Sequence, residues 1–203
     1  GTALGARTWH VDANSGIDGP GRGSAAAPFA TIQAAVDAAS EGDTISVAEG
    51  VYATGSRDGL YWSYGYNAAL EKYPDFMRSG YNQTRVLVDK RLDFVASGAR
   101  DRTVIQGAWG DPLDEWPKWR DFYRTNGVAC VVLQTAAKGT TFTGITFQDG
   151  YMHQSALVGG GSQAYASGGI SFDDAVVDGA TPGENFTVTD CAFINCFGRG
   201  GGA

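Results

Sequence analysis

Cysteine is scarce in this sequence, and so are histidine, methionine, proline and basic charge. Three cysteines in 203 residues are too few for a disulfide framework to hold a fold together. Cys191 and Cys196 can pair only if the chain turns between them. Without a His or another Cys at ligand spacing, no zinc site is supported. The thiols are read as buried and free. Lys and Arg total 15 against 22 Asp and Glu, a net charge of −7. No basic patch is therefore available to neutralise phosphates, which argues against nucleic acid and against an anionic membrane surface. No apolar run approaches the length of a membrane span. A disordered chain is excluded too, because aromatics reach 12% and hydrophobic residues 43%, more than such a chain carries.

Glycine is what the sequence has in excess, with 30 residues, about twice the average share. Glycines set among many short β-type runs point to an all-β protein with frequent tight turns. One stretch departs from that pattern. In residues 28–52, PFATIQAAVDAASEGDTISVAEGVY, the apolar residues Ile32, Ala35, Val36 and Ala39 recur at i, i+3, i+4 and i+7, one stripe of a helix. Thr31 is placed to cap its N-terminus and Gly42 to end it as a left-handed residue. The helix should run for about three turns. Thr44-Ile45-Ser46-Val47 then alternates with period two, the mark of a strand.

Other short strands stand at Thr8 to Val11, Arg85 to Val88, Leu92 to Val95 and Cys130 to Leu133. They continue in TTFTGITFQDG (140–150), in Ile170-Ser171-Phe172 and in FTVTDCAFINCF (186–197). Ile145, Ile170 and Phe193 are spaced by 25 and 23 residues. That suits one coil of a stacked repeat, and one large coil with an insertion suits it equally. Asn195 falls at a turn where Asn tolerates the left-handed conformation.

The segment WHVDANSGIDGPGRGSAAAPFATIQAAVDAASEGDTISVAEGVY resembles the opening of right-handed parallel β-helix proteins of the pectate-lyase-like superfamily. Those begin with a Tyr-Val-Asp-type strand, a Gly-Asx loop, a Pro-Phe-x-Thr-Ile-Gln-x-Ala helix, then Gly-Asp-Thr-Ile and Gly-x-Tyr. Phe193-Ile194-Asn195 with Gly200-Gly201-Gly202 resembles the repeats of polymorphic outer-membrane proteins, a surface-exposed β-helix group. The resemblance implies one solenoid domain over residues 1–203, with the helix as a plug on its first coil. Such a plug covers the unpaired strand edge that a parallel stack otherwise leaves exposed. The glycine run at 198–203 reads as the approach to another strand. Further coils, or another chain covering that end, are therefore expected, and the isolated chain should associate through it.

Two aromatic segments interrupt the strand rhythm, at 59–83 and 108–124. Trp62, Tyr64 and Tyr66 stand in the first, and Trp109, Trp116, Trp119 and Tyr123 in the second. Aromatic faces suit the C–H faces of sugar rings, and they equally suit packing that pins an insertion to a wall. Both readings stand. Acidic candidates are Asp111, Asp114 and Glu115 in the second segment, and Asp173 and Asp174 after the Ile170 strand. In the enzymes the chain resembles, wall carboxylates hold Ca²⁺ and a Lys or Arg removes the proton α to a uronate carboxylate. Ca²⁺ enters only through that resemblance; no motif places the metal or the base, and no catalytic residue is assigned. His153 could face a ligand, and His10 reads as structural. The expected function is extracellular polysaccharide engagement by a secreted or cell-surface protein, either a polysaccharide lyase or glycoside hydrolase, or a non-catalytic adhesin or structural solenoid.

Overall fold

The computed structural model describes residues 5–58, 83–112, 124–125, 127–152, 168–173 and 186–198. In chain order these form β1 (Thr8–Val11), α1 (Ile32–Ala38), β2 (Thr44–Val47), β3 (Gly50–Tyr52), β4 (Arg57–Asp58), β5 (Gln83–Val88), β6 (Asp93–Ala96), β7 (Thr103–Gln106), β8 (Asp111–Pro112) and β9 (Arg124–Thr125). There follow β10 (Val128–Gln134), β11 (Thr140–Thr143), β12 (Thr146–Gln148), β13 (Tyr151–Met152), β14 (Ile170–Asp173), β15 (Phe186–Thr189), β16 (Ala192–Ile194) and β17 (Phe197–Gly198). The protein is all-β, with one α-helix among the described residues. No described helix is long and apolar enough to cross a membrane.

Period-two patterning accounts for the strands. β2 buries Ile45 and Val47 completely and leaves Thr44 and Ser46 partly exposed. β5 alternates over its whole length. β10 is different: Val128 to Leu133 are all buried, and Met152 of β13 forms a second small cluster with Ala129 and Val132.

Pairing is mostly parallel. One sheet runs β1-β2-β6-β11-β15, a second β14-β10-β5-β4 and a third β16-β12-β7-β3. In the first, Ile45 lies opposite Phe94, Phe94 opposite Phe142, and Phe142 opposite Val188. In the third, the column is Tyr52, Ile105, Phe147 and Phe193; in the second, Val86, Val131 and Ile170. Like residues thus stack on like. Phe94 and Phe142 stack at 4.8 Å and Phe147 and Phe193 at 5.0 Å. Phe142 meets Phe147 edge-on at 5.5 Å and joins two columns. Each aromatic pair adds about 0.5–1.5 kcal/mol beyond its buried area. The inward residues of all three sheets belong to one hydrophobic cluster.

The register also decides between the two repeat lengths. Ile170 pairs with Val131 in the second sheet, while Phe147 pairs with Phe193 in the third. The long repeat with an insertion is the one found. The spacing near 25 arises because a single pass along the chain crosses more than one sheet.

Helix α1 buries Ile32, Ala35 and Val36, and Thr31 Oγ1 accepts from the Ala34 N–H, as the sequence leads one to expect. Its C-terminus is a correction. The helix has seven residues and stops at Ala38, because Ala39 turns to extended backbone while its N–H still reaches the Ala35 and Val36 carbonyls. Gly42 does adopt a left-handed φ of 85°, but in the turn to Asp43 rather than at the helix end. Gln33 then does what a strand would do. Its Oε1 accepts from the Leu87 N–H at 2.8 Å and its Nε2 donates to the Leu87 carbonyl at 3.2 Å, so one amide side chain completes a stretch of β5 edge. The outer edge of β1 is completed by the opening loop. His10 N–H donates to Gly23, Phe29 N–H to His10, and Asp12 N–H to Phe29.

Corners between strands use the left-handed region. Asn195 does so at φ 53°, as expected, and Asp149 (54°) and Asp190 (48°) share the conformation.

Candidate functional site

Most sequence-derived site residues, namely Trp62, Tyr64, Tyr66, Trp116, Trp119, Tyr123, Asp114, Glu115 and Asp174, with His153, lie outside the described residues. Asp173 ends β14 and its side chain also lies outside. Asp111 is exposed at the start of β8. Trp109 is the one predicted aromatic whose surroundings can be read, and it packs. Its indole lies 6.0 Å from the Tyr151 ring and 5.7 Å from the Phe197 ring, which themselves stack at 5.3 Å. Its Nε1 donates to the Asn195 carbonyl at 2.8 Å. For this residue the wall-pinning reading is the observed one.

Beside Trp109 lies a corner of amides around one carboxylate. Asp149 accepts from Gln106 Nε2 at 2.9 Å, Gln148 Nε2 at 3.1 Å and Asn195 Nδ2 at 2.7 Å. Burial pushes its carboxyl up, but the bonds from Asn195, Gln106 and Gln148 outweigh it and hold the pKa below the ordinary 3.8. The sequence offered only the left-handed Asx signal for this network. Two of its three partners, Gln106 and Asn195, come from distant parts of the chain.

Arg85 is a second feature that sequence reasoning missed. It stands on the outer face of β5, half-buried, and desolvation lowers its pKa. Its Nε donates to the Gln106 carbonyl at 2.9 Å and its Nη1 to the Gly55 carbonyl. A guanidinium tied to two carbonyls works as a tether between passes.

Several described carboxylates are likewise committed to structure. Asp12 bonds Ser15 and the Asn14 N–H in a turn, and these bonds lower its pKa. Asp18 accepts from the Ala30 and Thr31 N–H groups and from the Thr31 hydroxyl. Glu49 accepts from the Ala99 N–H and pairs with Arg102. Asp37 pairs with Arg57, and Asp190 with Arg100. No group of three or more His, Cys, Asp or Glu side chains gathers as a metal site among the described residues.

A concave, ligand-sized feature lies elsewhere, where the opening loop folds back over β1 and α1. It is an open cleft of about 540 Å³ lined by Arg7, Trp9, Arg22, Phe29 and Asp37, with Pro20 and Gly21 at its rim. Asp43, buried behind the cleft, fixes two of its lining residues, accepting from Arg7 N–H at 2.8 Å and Trp9 Nε1 at 2.9 Å, with Ser40 N–H at 2.9 Å. With the indole fixed, the Arg7 guanidinium lies 3.6 Å over its ring, a cation–π contact. Neither Arg7 nor Arg22 makes a salt bridge among the described residues. Two guanidiniums beside an aromatic plane can hold a carboxylate while an apolar ring face packs alongside. Comparison with known proteins found no matching family model, no matching curated protein and no matching solved structure.

Proposed function

We propose that the chain is a right-handed parallel β-helix plugged by α1, of the pectate-lyase-like kind, and that it engages an acidic extracellular polysaccharide at the cell surface or after secretion. The right hand is the one a crossover between parallel strands adopts almost without exception. The observation that carries the functional reading is the cleft of about 540 Å³ with Arg7, Trp9 and Arg22 on its walls. Its size is that of a small-ligand site, and it offers cations in a chain of net charge −7. A uronate residue meets both demands, with its ring filling the cleft and its carboxylate on a guanidinium. The aromatic segments at 59–83 and 108–124, with Trp62 and Trp116, are the sequence-based candidates for further sugar contacts.

The second reading, a non-catalytic adhesin or structural solenoid, is favoured by one fact. The carboxylates described above serve turns, caps and ion pairs rather than converging on a groove. The test is a panel of polyuronates and neutral polymers, with and without Ca²⁺, followed for binding and for unsaturated product by ultraviolet absorbance. Binding to polyuronate should weaken about tenfold in Arg22→Ala, a loss of ~1.4 kcal/mol, and in Trp62→Ala or Trp116→Ala. Equal binding of neutral polymers, or an unchanged Arg22→Ala, would sink the acidic-sugar reading. Unsaturated product would assign the lyase.

A further inference from the structure

The structure brings together two cysteines that the sequence keeps far apart. Cys130 comes from β10, and Cys196 precedes β17. Phe197 of β17 is the register partner of Tyr151, which sets Cys196 over Gly150, the residue before Tyr151. Gly150 has no side chain, and Cys130 Sγ takes the space: a Cβ on Gly150 would stand 2.9 Å from that sulfur and 1.9 Å from the Gly168 carbonyl oxygen. Backbone bonds hold the arrangement, from Cys130 N–H to Gly168 and from Phe197 N–H to Gly150, each 2.8 Å. The register brings the two thiols to the same corner, where Cys130 Sγ donates to the Gln148 carbonyl at 3.4 Å and Cys196 Sγ to the Phe147 and Ile194 carbonyls, each at 3.5 Å. Cys130 is fully buried and Cys196 half-buried. The third cysteine, Cys191, makes the equivalent contacts at the preceding corner, to the Phe142 and Thr189 carbonyls at 3.5 and 3.4 Å.

We propose that Cys130 and Cys196 form a redox site in which Cys196 is the accessible nucleophile toward a disulfide oxidant and Cys130 the buried resolving thiol. In the first step the Cys196 thiolate attacks one sulfur of a small disulfide such as oxidised glutathione, forming a mixed disulfide and releasing one thiol. In the second, Cys130 gives up its proton and attacks the Cys196 sulfur, forming the intramolecular bond and releasing the second thiol. Two electrons pass from the protein thiols to the oxidant, and the two protons end on the released thiols. The bond would lock β17 onto β10. The pKa pattern matches the roles. The neighbouring Cys130 thiol, with the Gly150 N–H, brings Cys196 down from 9.0 to about 7 against burial and the charge of Asp149, while Cys130 is pushed up by the neighbouring Cys196 and by burial. Arg85 of β5 is the cation whose charge acts with that of Cys130, and low-pKa thiols beside a second thiol are the reactive ones.

The experiment treats the full chain, reduced and folded, with oxidised glutathione, counts free thiols and maps the linked peptides. Two of the three thiols should disappear, the Cys130–Cys196 peptide should be found, and Cys191 should still alkylate. The rate should half-rise near pH 7 rather than near 9. Cys130→Ala should hold a lasting glutathione adduct on Cys196, whereas Cys191→Ala should leave the linked peptide unchanged. Three thiols surviving in the native chain while the reagent oxidises dithiothreitol would overturn the proposal. A linkage through Cys191 would do the same. The wild-type peptide map decides the matter even if a variant fails to fold.

Discussion

Asp43 is 6% exposed and serves as the acceptor for three N–H donors from two parts of the chain. Burial pushes its carboxyl up, yet the bonds from Arg7, Trp9 and Ser40, with the Arg7 charge, bring it below 3.8. Removing it strands three donors, so Asp43→Ala should lower unfolding free energy by about 2–4 kcal/mol, read from urea denaturation. It should also release the Trp9 indole, seen as a shift in tryptophan fluorescence. The pH dependence follows from the same group together with Asp12 and Asp149, all depressed in the folded chain. A depressed carboxyl stabilises the fold fully above its unfolded value and loses that contribution as pH falls through the folded one. Urea midpoints from these groups should therefore hold steady between pH 7 and 5 and fall below about 4. A midpoint that rises as pH drops through that lower window would contradict the assignment.

At the scale of an element, α1 is too short to be stable by itself, since isolated helices below about 12 residues are marginal in water. It persists through its buried stripe, its Thr31 cap and the bonds from Gln33 to Leu87. Lys90 Nζ adds a bond to the Val36 carbonyl at 3.0 Å. Gln33→Ala should cost about 1–3 kcal/mol, because it leaves both Leu87 backbone groups without their partner. Thr31→Ala should cost about 1 kcal/mol. Amide hydrogen exchange at Leu87 separates the two: it should quicken in Gln33→Ala more than in Thr31→Ala. Equal protection in both variants would mean that water or another group completes that edge.

Across the whole molecule, stability comes from stacking the same position of successive passes. Phe142 is the residue where columns meet, touching Phe94 face to face and Phe147 edge to face while completely buried. Phe142→Ala should cost about 3–5 kcal/mol. Val188, the next residue in that column, is 40% exposed, so Val188→Ala should cost well under half as much. A comparison of the two urea midpoints tests whether the column is graded from centre to end.

Much of this was legible before any coordinates. The TISV alternation, the Ile32-Ala35-Val36 stripe, the Thr31 cap and the left-handed Asn195 all depend on neighbours within a few residues, where side-chain period and backbone sterics are decided. The end of α1 was misplaced because Gly42 is a good stop signal, but Ala39 had already left the helix. The Asp149 corner, the Gln33 substitute for a strand, the Arg7–Trp9 cleft and the Cys130–Cys196 contact were invisible for a different reason. Each depends on segments brought together by tertiary packing, through strand register at the Asp149 and cysteine corners and through the fold of the helix and opening loop for the other two. The sequence by itself determined that short strands would alternate and that one helix would stand near the start, after the first strand. Only the tertiary structure decided which strands face each other, since a parallel partner is chosen by the buried columns of Phe, Ile and Val rather than by anything adjacent in the chain.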